Sequence, residues 1–140
     1  MRPPLIVSAA VVEHDGCFLL TRRLKGAHLA GRWEFPGGKC EEGETLVECL
    51  RREMLEELGV NVVVGHELLT TRHAYPSRRV ELHFFSCELV GEPHPREGQQ
   101  MQWVARNDLR QLELPEADDA LIALLTRDES PRREPDQEGP

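Results

Sequence analysis

The chain has 140 residues, 39% of them hydrophobic and 30% charged, which is typical of one soluble globular domain. Its net charge of −8 argues against a nucleic-acid polymer as partner, because such partners usually need a basic surface. The net charge is compatible with a small anionic ligand, since a local positive group or a bridging cation suffices to bind it. The apolar run Leu5 to Val12 is too short for a membrane span and lacks signal-peptide features. We therefore expect a cytoplasmic monomer that contacts no membrane.

Cysteine spacing argues against a zinc site or a disulfide framework. The four cysteines are Cys17, Cys40, Cys49 and Cys87, and no C-x-x-C pair occurs among them. A chain of this size does not need disulfides to supplement its core. We expect four reduced thiols that pack as small apolar side chains.

The N-terminal third is predicted to form a hairpin followed by a long loop. Leu5 to Glu13 is an apolar run typical of a buried strand, and His14-Asp15-Gly16 indicates a tight turn. Cys17 to Arg23 is then expected to be the partner strand. Residues 24–43 contain five glycines, which favours an irregular, site-building loop.

A central helix has clear end signals. Thr45 opens it, and Glu48 three positions later completes a capping box. Gly59 follows the last periodic apolar residue, where a left-handed C-terminal cap is common. We therefore predict a helix between these two caps.

The C-terminal half adds further strands and two helices. The predicted strands are Val60 to Val64, Val80 to Leu89 and Met101 to Val104, and the predicted helices are Asn107 to Leu112 and Asp118 to Leu125. This order favours an α+β fold or an α/β/α sandwich, with a mixed sheet between helices. We assign residues 1–127 to a single domain and expect the charged, proline-rich residues 128–140 to form a disordered tail.

The central helix carries an acidic flank beside its apolar face. Its core-facing arc is predicted to comprise Val47, Leu50, Met54 and Leu58. Glu53, Glu56 and Glu57 lie at neighbour spacings on another arc and repel one another. A hard divalent cation would relieve that repulsion, whereas the ordinary alternative is a solvated acidic face.

A wider sequence pattern surrounds these glutamates. It runs G-x5-E-x7-R-E-U-x-E-E-x-G-U, with U a bulky aliphatic residue, and is matched by Gly38, Glu44, Arg52, Glu53, Met54, Glu56, Glu57, Gly59 and Val60. A chance match in a chain this long is on the order of 10⁻⁷ or less. The pattern is the Nudix box, so the chain resembles the Nudix hydrolases, and the solvated-face alternative loses weight.

The resemblance implies a Nudix fold and a divalent-metal site. Glu53, Glu56 and Glu57 would bind Mg²⁺ or Mn²⁺, and the Gly37 carbonyl would be a further ligand. Arg52 would hold a glutamate by a charge-assisted hydrogen bond and fix its rotamer, with an ordinary surface salt bridge as the alternative.

Over about residues 5–125 the chain is similar to the MutT branch of that family, the 8-oxo-dGTP diphosphatases. The similar stretches outside the box are Thr21-Arg22-Arg23, Ala27-His28, Trp33-Glu34-Phe35-Pro36-Gly37-Gly38-Lys39, Gly91-Glu92-Pro93, Glu97-Gly98-Gln99, Trp103 and Leu114-Pro115-Glu116-Ala117-Asp118. The substrate-binding set that they imply is Arg23, His28, Glu34, Phe35, Pro36, Gly37, Arg78 and Asp118.

Six members of this set belong to the first third of the chain, and the resemblance gives three of them particular roles. Arg23 would contact the phosphate or sugar, while His28 and Phe35 would line the nucleoside pocket. Their ordinary alternatives are a strand-end surface charge, an unliganded loop residue and a core aromatic ring, respectively.

The other two act from the C-terminal half. Arg78 would reach over the site from a loop, with Arg79 as a competitor for that role and a solvated loop charge as the alternative. Asp118 would meet the base edge, or would simply cap the last helix. MutT proteins of the 8-oxo-dGTP type carry Asn there, so the carboxylate departs from the pattern and puts base preference in question.

The implied reaction is attack of a metal-activated water on a diphosphate phosphorus, releasing a nucleoside monophosphate and pyrophosphate. Glu53 and Glu97 are the two candidates for the general base, and an exposed loop glutamate is the alternative for Glu97. The biological sense would be removal of oxidised precursors from the nucleotide pool.

Other members of the family act on CTP-like or modified-pyrimidine triphosphates, or on ADP-sugars and dinucleoside polyphosphates. A non-catalytic nucleotide-binding module is the remaining alternative.

Overall fold

The computed structural model describes residues 2–22 and 31–127. The predictions for Arg23, His28 and the tail 128–140 lie outside these residues. The strands are β1 (Leu5–Val11), β2 (Glu13–His14), β3 (Cys17–Arg22), β4 (Trp33–Glu34), β5 (Gly37–Lys39), β6 (Asn61–Tyr75), β7 (Arg78–Val90) and β8 (Gln100–Ala105). The helices are α1 (Leu46–Leu58) and α2 (Asp119–Arg127), with 3-10 helices at Arg106–Gln111 and Glu116–Asp118.

The described strands form two four-stranded sheets. The larger has the order β5-β1-β7-β6 and is mixed, because β1 runs parallel to β7 and the other neighbours are antiparallel. In the smaller sheet, β3 pairs with β2, β4 and β8.

Alternate residues of β1 enter two separate cores on opposite faces of the larger sheet. Ala9 packs in the core that includes Leu121 of α2, and Ala10 in the core that includes Leu50 of α1. The helices therefore cover opposite faces, and the predicted mixed sheet between helices is confirmed.

The ends of α1 are as predicted. The Thr45 hydroxyl accepts the Glu48 N–H at 3.0 Å, and the Glu48 carboxylate accepts the Thr45 N–H at 3.0 Å. Gly59 is left-handed, with φ +63°, and its N–H reaches the Leu55 carbonyl at 3.0 Å. These caps set the register in which the glutamates leave the helix.

Among the described residues, no helix has the length and apolarity needed to cross a membrane.

Three strand predictions were wrong in detail. β1 does not pair with β3, because the chain leaves the larger sheet at Val12 and only β2 forms the predicted hairpin. Residues 24–43 are not all irregular, since β4 and β5 lie among them. β6 continues well beyond Val64 to Tyr75, through two register shifts. Residues 65–75 are largely polar and lie on an edge strand, so no apolar run marked them.

The prediction of four reduced cysteines was also wrong. Cys40 and Cys49 form a disulfide, while Cys17 and Cys87 are free. Burial raises the pKa of the Cys87 thiol to about 12, so that thiol stays protonated. Spacing could not reveal the pair, because only the folded chain brings the exit of β5 against the first turn of α1. The bond joins the loop after Gly38 to the helix one turn before Glu53.

Breaking this disulfide should lower stability without unfolding the protein. Closing so short a loop stabilises a fold by roughly 2–3 kcal/mol. We expect Cys40→Ser to lower the free energy of unfolding by about that amount in denaturant titrations without reductant, and reductant to act likewise on the wild type. Cys17→Ser is the matched control and should remain sensitive to reductant. A count of four reactive thiols in the oxidised, denatured wild type would contradict the pairing.

Candidate active site

A cavity of about 640 Å³ lies on the α2-side face of the larger sheet. Its floor is made by alternate residues of β1 and β7, and the Pro115–Asp118 segment closes one side. The volume is within the range of small-molecule sites. Of the predicted site residues, those lining it are Glu34, Phe35, Gly37, Glu53, Glu57, Arg78 and Asp118.

One end of the cavity is acidic. Burial, together with the smaller effects of the nearby carboxylates of Glu53, Glu34 and Glu97, raises the pKa of Glu57 to about 9. These groups repel one another without a counter-charge, and a divalent cation would relieve them.

Glycines make room for this acidic end. A Cβ on Gly38 would lie 2.3 Å from the Glu53 carboxylate, and one on Gly37 would lie 2.1 Å from the Ser8 carbonyl oxygen. Gly37 also has φ +152°, which side chains disfavour. The glycine backbone therefore packs directly against Glu53, and the carboxylate oxygens at this end are donors of the kind that a divalent cation prefers.

Arg52 holds the acidic residues in place from outside the cavity. Its guanidinium donates two hydrogen bonds to Glu44, at 2.6 and 3.0 Å, and one each to Glu53 at 3.0 Å and Glu56 at 3.2 Å. It also donates to the Lys39 carbonyl at 3.1 Å, tying α1 to β5. The hydrogen bond from Arg52 lowers the pKa of Glu44 to about 2, and Arg52 is held firmly in its charged form.

Besides Arg52, two predicted catalytic or metal-binding residues do not line the cavity. The Glu56 side chain is 54% exposed and bonded to Arg52. Glu97 is exposed in the loop before β8, which docks on the end of α1 through the Arg96 N–H and the Gln99 amide, both donating to the Glu57 carbonyl. No group of three or more acidic, histidine or cysteine side chains converges in metal-ligand geometry within residues 2–22 and 31–127.

The other end of the cavity is apolar around one buried carboxylate. Phe35 and Phe84 meet edge to face, with ring centroids 6.1 Å apart. Asp118 is only 3% exposed and lines the cavity beside Ala117. Pro36 lies behind the wall, fully buried, and its carbonyl accepts the Ala10 N–H at 2.7 Å.

The rim beyond this apolar end is basic. Arg2, Arg78 and Arg79 donate to the carbonyls of Ser77, Pro3 and Arg2, respectively. The Arg78 Nε is buried without a hydrogen-bond partner among the described residues. These guanidinium groups supply a local positive charge that suits an anionic ligand despite the net charge of −8.

Sequence reasoning missed several lining residues, among them Arg2, Lys39, Tyr75, Leu82 and Phe84. The alternation of Val80, Leu82 and Phe84 along β7 was a usable signal, because it predicts one shared face. Arg2 and Tyr75 had no such signal, since they depend on how the N-terminus meets the β6–β7 turn.

The chain is similar to known proteins of one family. The family model described as "NUDIX domain" matches residues 7–124. The chain belongs to the Nudix family, and it is a Nudix hydrolase of the MutT type. Nudix hydrolases generally need a divalent metal ion.

Among its relatives is the 8-oxo-dGTP diphosphatase of Haemophilus influenzae, 38% identical over 122 residues, which covers 85% of this chain and 89% of that protein. The CTP pyrophosphohydrolase of Escherichia coli is 34% identical over 117 residues, covering 83% and 87%. The solution structure of the E. coli ORF135 protein superposes with a TM-score of 0.80 at 31% identity, covering 94% and 96%. The MutT protein from Methanosarcina mazei Go1 gives a TM-score of 0.81 at 26% identity, covering 93% and 98%.

The raised pKa of Glu57 predicts a link between pH, metal and stability. Because the folded pKa of about 9 exceeds the ordinary 4.5, the folded state holds a proton that the unfolded state has lost between these values. Stability without metal should therefore fall as the pH rises through this window. A divalent cation replaces the proton, so Mg²⁺ should raise Tm more at about pH 8.5 than at about pH 5.5. Glu57→Gln is the control and should flatten both trends; an equal Mg²⁺ shift at the two pH values would contradict the account.

Proposed function

We propose that this Nudix hydrolase is a nucleoside triphosphate pyrophosphohydrolase that acts on oxidised nucleotides such as 8-oxo-dGTP. It would act as a cytoplasmic monomer and release the nucleoside monophosphate and pyrophosphate. This reaction would remove oxidised nucleotides from the nucleotide pool. The observation that carries the proposal is the polarity of a single cavity. Its acidic end at Glu53 and Glu57 suits a metal-bound diphosphate, and its aromatic end at Phe35 and Phe84 suits a base.

The acidic end would organise the reaction. Glu53, Glu56, Glu57 and the Gly37 carbonyl would hold Mg²⁺ or Mn²⁺, which when bound lowers the pKa of water and offsets charge on the phosphoryl oxygens. Arg52 restricts the Glu53 rotamer through its 3.0 Å hydrogen bond, so that carboxylate is preorganised.

The attacking water would be deprotonated or oriented by Glu53 or Glu97. Glu53 lines the cavity, whereas Glu97 is near enough to raise the pKa of Glu57 yet stands outside. The position of Glu53 in the cavity wall favours Glu53 as the base.

The remaining groups would bind the nucleotide. Phe35 would pack on the base and Asp118 would meet its edge. Arg78 would reach over the site from the rim, where its Nε has no hydrogen-bond partner among the described residues. Glu34 would lie between the two ends. Roles for Arg23 and His28 on the phosphate, sugar and nucleoside rest on the MutT resemblance.

A second candidate is a CTP or modified-pyrimidine triphosphate pyrophosphohydrolase. The buried carboxylate of Asp118 favours it, because a carboxylate accepts hydrogen bonds from an exocyclic amine such as cytosine N4. The 34% identity to the E. coli CTP pyrophosphohydrolase also supports it. A purely binding module is disfavoured by the complete set of acidic residues on α1.

The test is a panel of normal and oxidised nucleoside triphosphates, assayed with Mg²⁺ and with Mn²⁺. Phosphate would be measured with and without added pyrophosphatase, which separates pyrophosphate release from stepwise dephosphorylation. We expect pyrophosphate release that stops with a chelator, with the highest kcat/KM for 8-oxo-dGTP or for a modified pyrimidine. Glu57→Gln, purified identically, controls for contaminating phosphatases. The proposal is wrong if no triphosphate yields pyrophosphate.

A further inference from the structure

The segment Pro115–Asp118, which closes the base end of the cavity, is attached to the sheet by side chains of β6. The Thr71 hydroxyl donates to the Ala117 carbonyl at 3.0 Å, and the Tyr75 hydroxyl accepts the Ala117 N–H at 3.3 Å. Both backbone polar groups of Ala117 are therefore held by two side chains of one strand.

A third contact lies between these two. His73 Nε2 is 3.3 Å from a Glu116 carboxylate oxygen, and its ring packs against Tyr75 with centroids 4.5 Å apart. Thr71, His73 and Tyr75 alternate along β6, so they share one face of the sheet. Their cross-strand partners are Leu82, Val80 and Arg78, which all line the cavity. The contacts of Thr71, His73 and Tyr75 with the Pro115–Asp118 segment therefore lie on the face of the sheet that forms the cavity floor.

These contacts matter because the segment has little stability of its own. Its helical part, Glu116–Asp118, is a single 3-10 turn closed by the Asp118 N–H donating to the Pro115 carbonyl at 2.9 Å. Asp118 follows Ala117 directly and is 3% exposed in the cavity wall. A shift of the Ala117 peptide would displace the Asp118 carboxylate by a comparable amount.

We propose that Thr71 and Tyr75 are positioning residues for base selectivity: they fix the Ala117 backbone so that Asp118 meets the substrate base in one place. The inference rests on the proposed nucleotide function. Thr71 does not line the cavity, so it acts through Ala117, whereas Tyr75 also forms part of the wall.

The kinetic test uses conservative variants along one strand. Thr71→Val removes the hydroxyl and keeps the shape and β propensity, while Thr71→Ser restores the hydroxyl. Thr70→Val is the matched control, because the Thr70 hydroxyl bonds Glu67 and His83 instead. We expect Thr71→Val and Tyr75→Phe to raise KM for the preferred triphosphate about two- to tenfold and to narrow its kcat/KM advantage over competitors by a similar factor. The kcat should stay within about twofold.

Thr71→Ser should recover most of the selectivity, and Thr70→Val should match the wild type. A loss that falls on kcat for all substrates alike, or ratios that do not change, would overturn the inference. Thermal denaturation of each variant ensures that only folded protein is compared.

Amide hydrogen exchange, measured by NMR on the substrate-free protein, separates this inference from the proposed function. We expect the Ala117 and Asp118 amides to exchange at least about fivefold faster in Thr71→Val and Tyr75→Phe, and at wild-type rates in Thr70→Val. Unchanged exchange in both variants overturns the positioning role whatever the substrate. If exchange accelerates but the wild type hydrolyses no triphosphate, the proposed function and the base-selecting role fall together, and only the anchoring of Ala117 stands.

Discussion

Glu57→Gln and Glu53→Gln are each expected to lower kcat at least about a hundredfold, the scale of losing one catalytic electrostatic group. Both carboxylates line the acidic end of the cavity, and neither belongs to the apolar core of α1. The fold should therefore persist. Glu57→Gln should in addition raise Tm in metal-free buffer at neutral pH, because the folded state no longer has to take up the proton that burial and neighbouring carboxylates impose on Glu57.

Pyrophosphate release at saturating substrate and Mg²⁺ measures the loss, and circular dichroism verifies the fold. Glu88→Gln, which changes an exposed carboxylate on β7, is the matched control and should keep wild-type kcat. Glu56→Gln should have a smaller effect than Glu53→Gln, since its side chain is half-exposed and held by Arg52. Near-normal turnover in both cavity variants would refute the proposed mechanism.

The pH–rate profile separates Glu53 from Glu97 as general base. If Glu97 deprotonates the water, Glu97→Gln should remove the acidic limb of the kcat profile and lower kcat by about a hundredfold or more. If Glu53 does so, Glu97→Gln should retain that limb. The exposed position of Glu97 leads us to expect the second result.

The next largest expected effect is a change of base preference in Asp118→Asn. An ionised carboxylate only accepts hydrogen bonds, whereas an amide also donates and so suits the O6 acceptor and N7–H donor of 8-oxoguanine. One base-edge contact is worth about 1–3 kcal/mol of discrimination. We therefore expect kcat/KM for 8-oxo-dGTP relative to a modified cytosine triphosphate to rise about tenfold or more in the variant.

The measurement is kcat/KM for 8-oxo-dGTP, dGTP, dCTP, 5-hydroxy-dCTP and 2-hydroxy-dATP in both proteins. Asp119→Asn is the control. It makes the same chemical change at the neighbouring residue, whose side chain is exposed and lies outside the cavity. In the wild type we expect oxidised adenine or modified cytosine nucleotides to compete measurably with 8-oxo-dGTP. Identical substrate ratios in wild type and Asp118→Asn would mean that this carboxylate does not read the base.

The elements that could be predicted from the sequence are those whose ends depend on residues close to them in the chain. The caps of α1 at Thr45 and Gly59 were predictable because each depends on residues within one or two turns. The strand β7 was predictable from its apolar alternation. In contrast, β6 beyond Val64 was missed because its polar side chains find partners across the sheet or on the Pro115–Asp118 segment.

The candidate site divides in the same way. The glutamates of α1 and Gly38 beneath them belong to one contiguous pattern, so the acidic end could be proposed from the resemblance to the Nudix box, whereas the spacing of the glutamates by itself left a solvated acidic face open. The basic rim and the attachment of Ala117 involve residues more than forty positions apart in the chain, such as Thr71 with Ala117 at a separation of 46. The Cys40–Cys49 bond was missed although its separation is only 9, because it joins a loop to a helix whose relative placement no local rule gives.

The parallel pairing of β1 with β7 has a consequence for synthesis of the protein. Leu5 is opposite Val80 and Val11 is opposite Ser86, so the cavity floor unites the first strand with one made much later. A nascent chain emerging from the ribosome must keep β1 unpaired on that side until β7 appears, and long-range parallel pairing closes slowly. Helix α1 can fold locally before then, but the cavity beside it cannot exist. Ligand binding should therefore be acquired only after β7 has paired with β1.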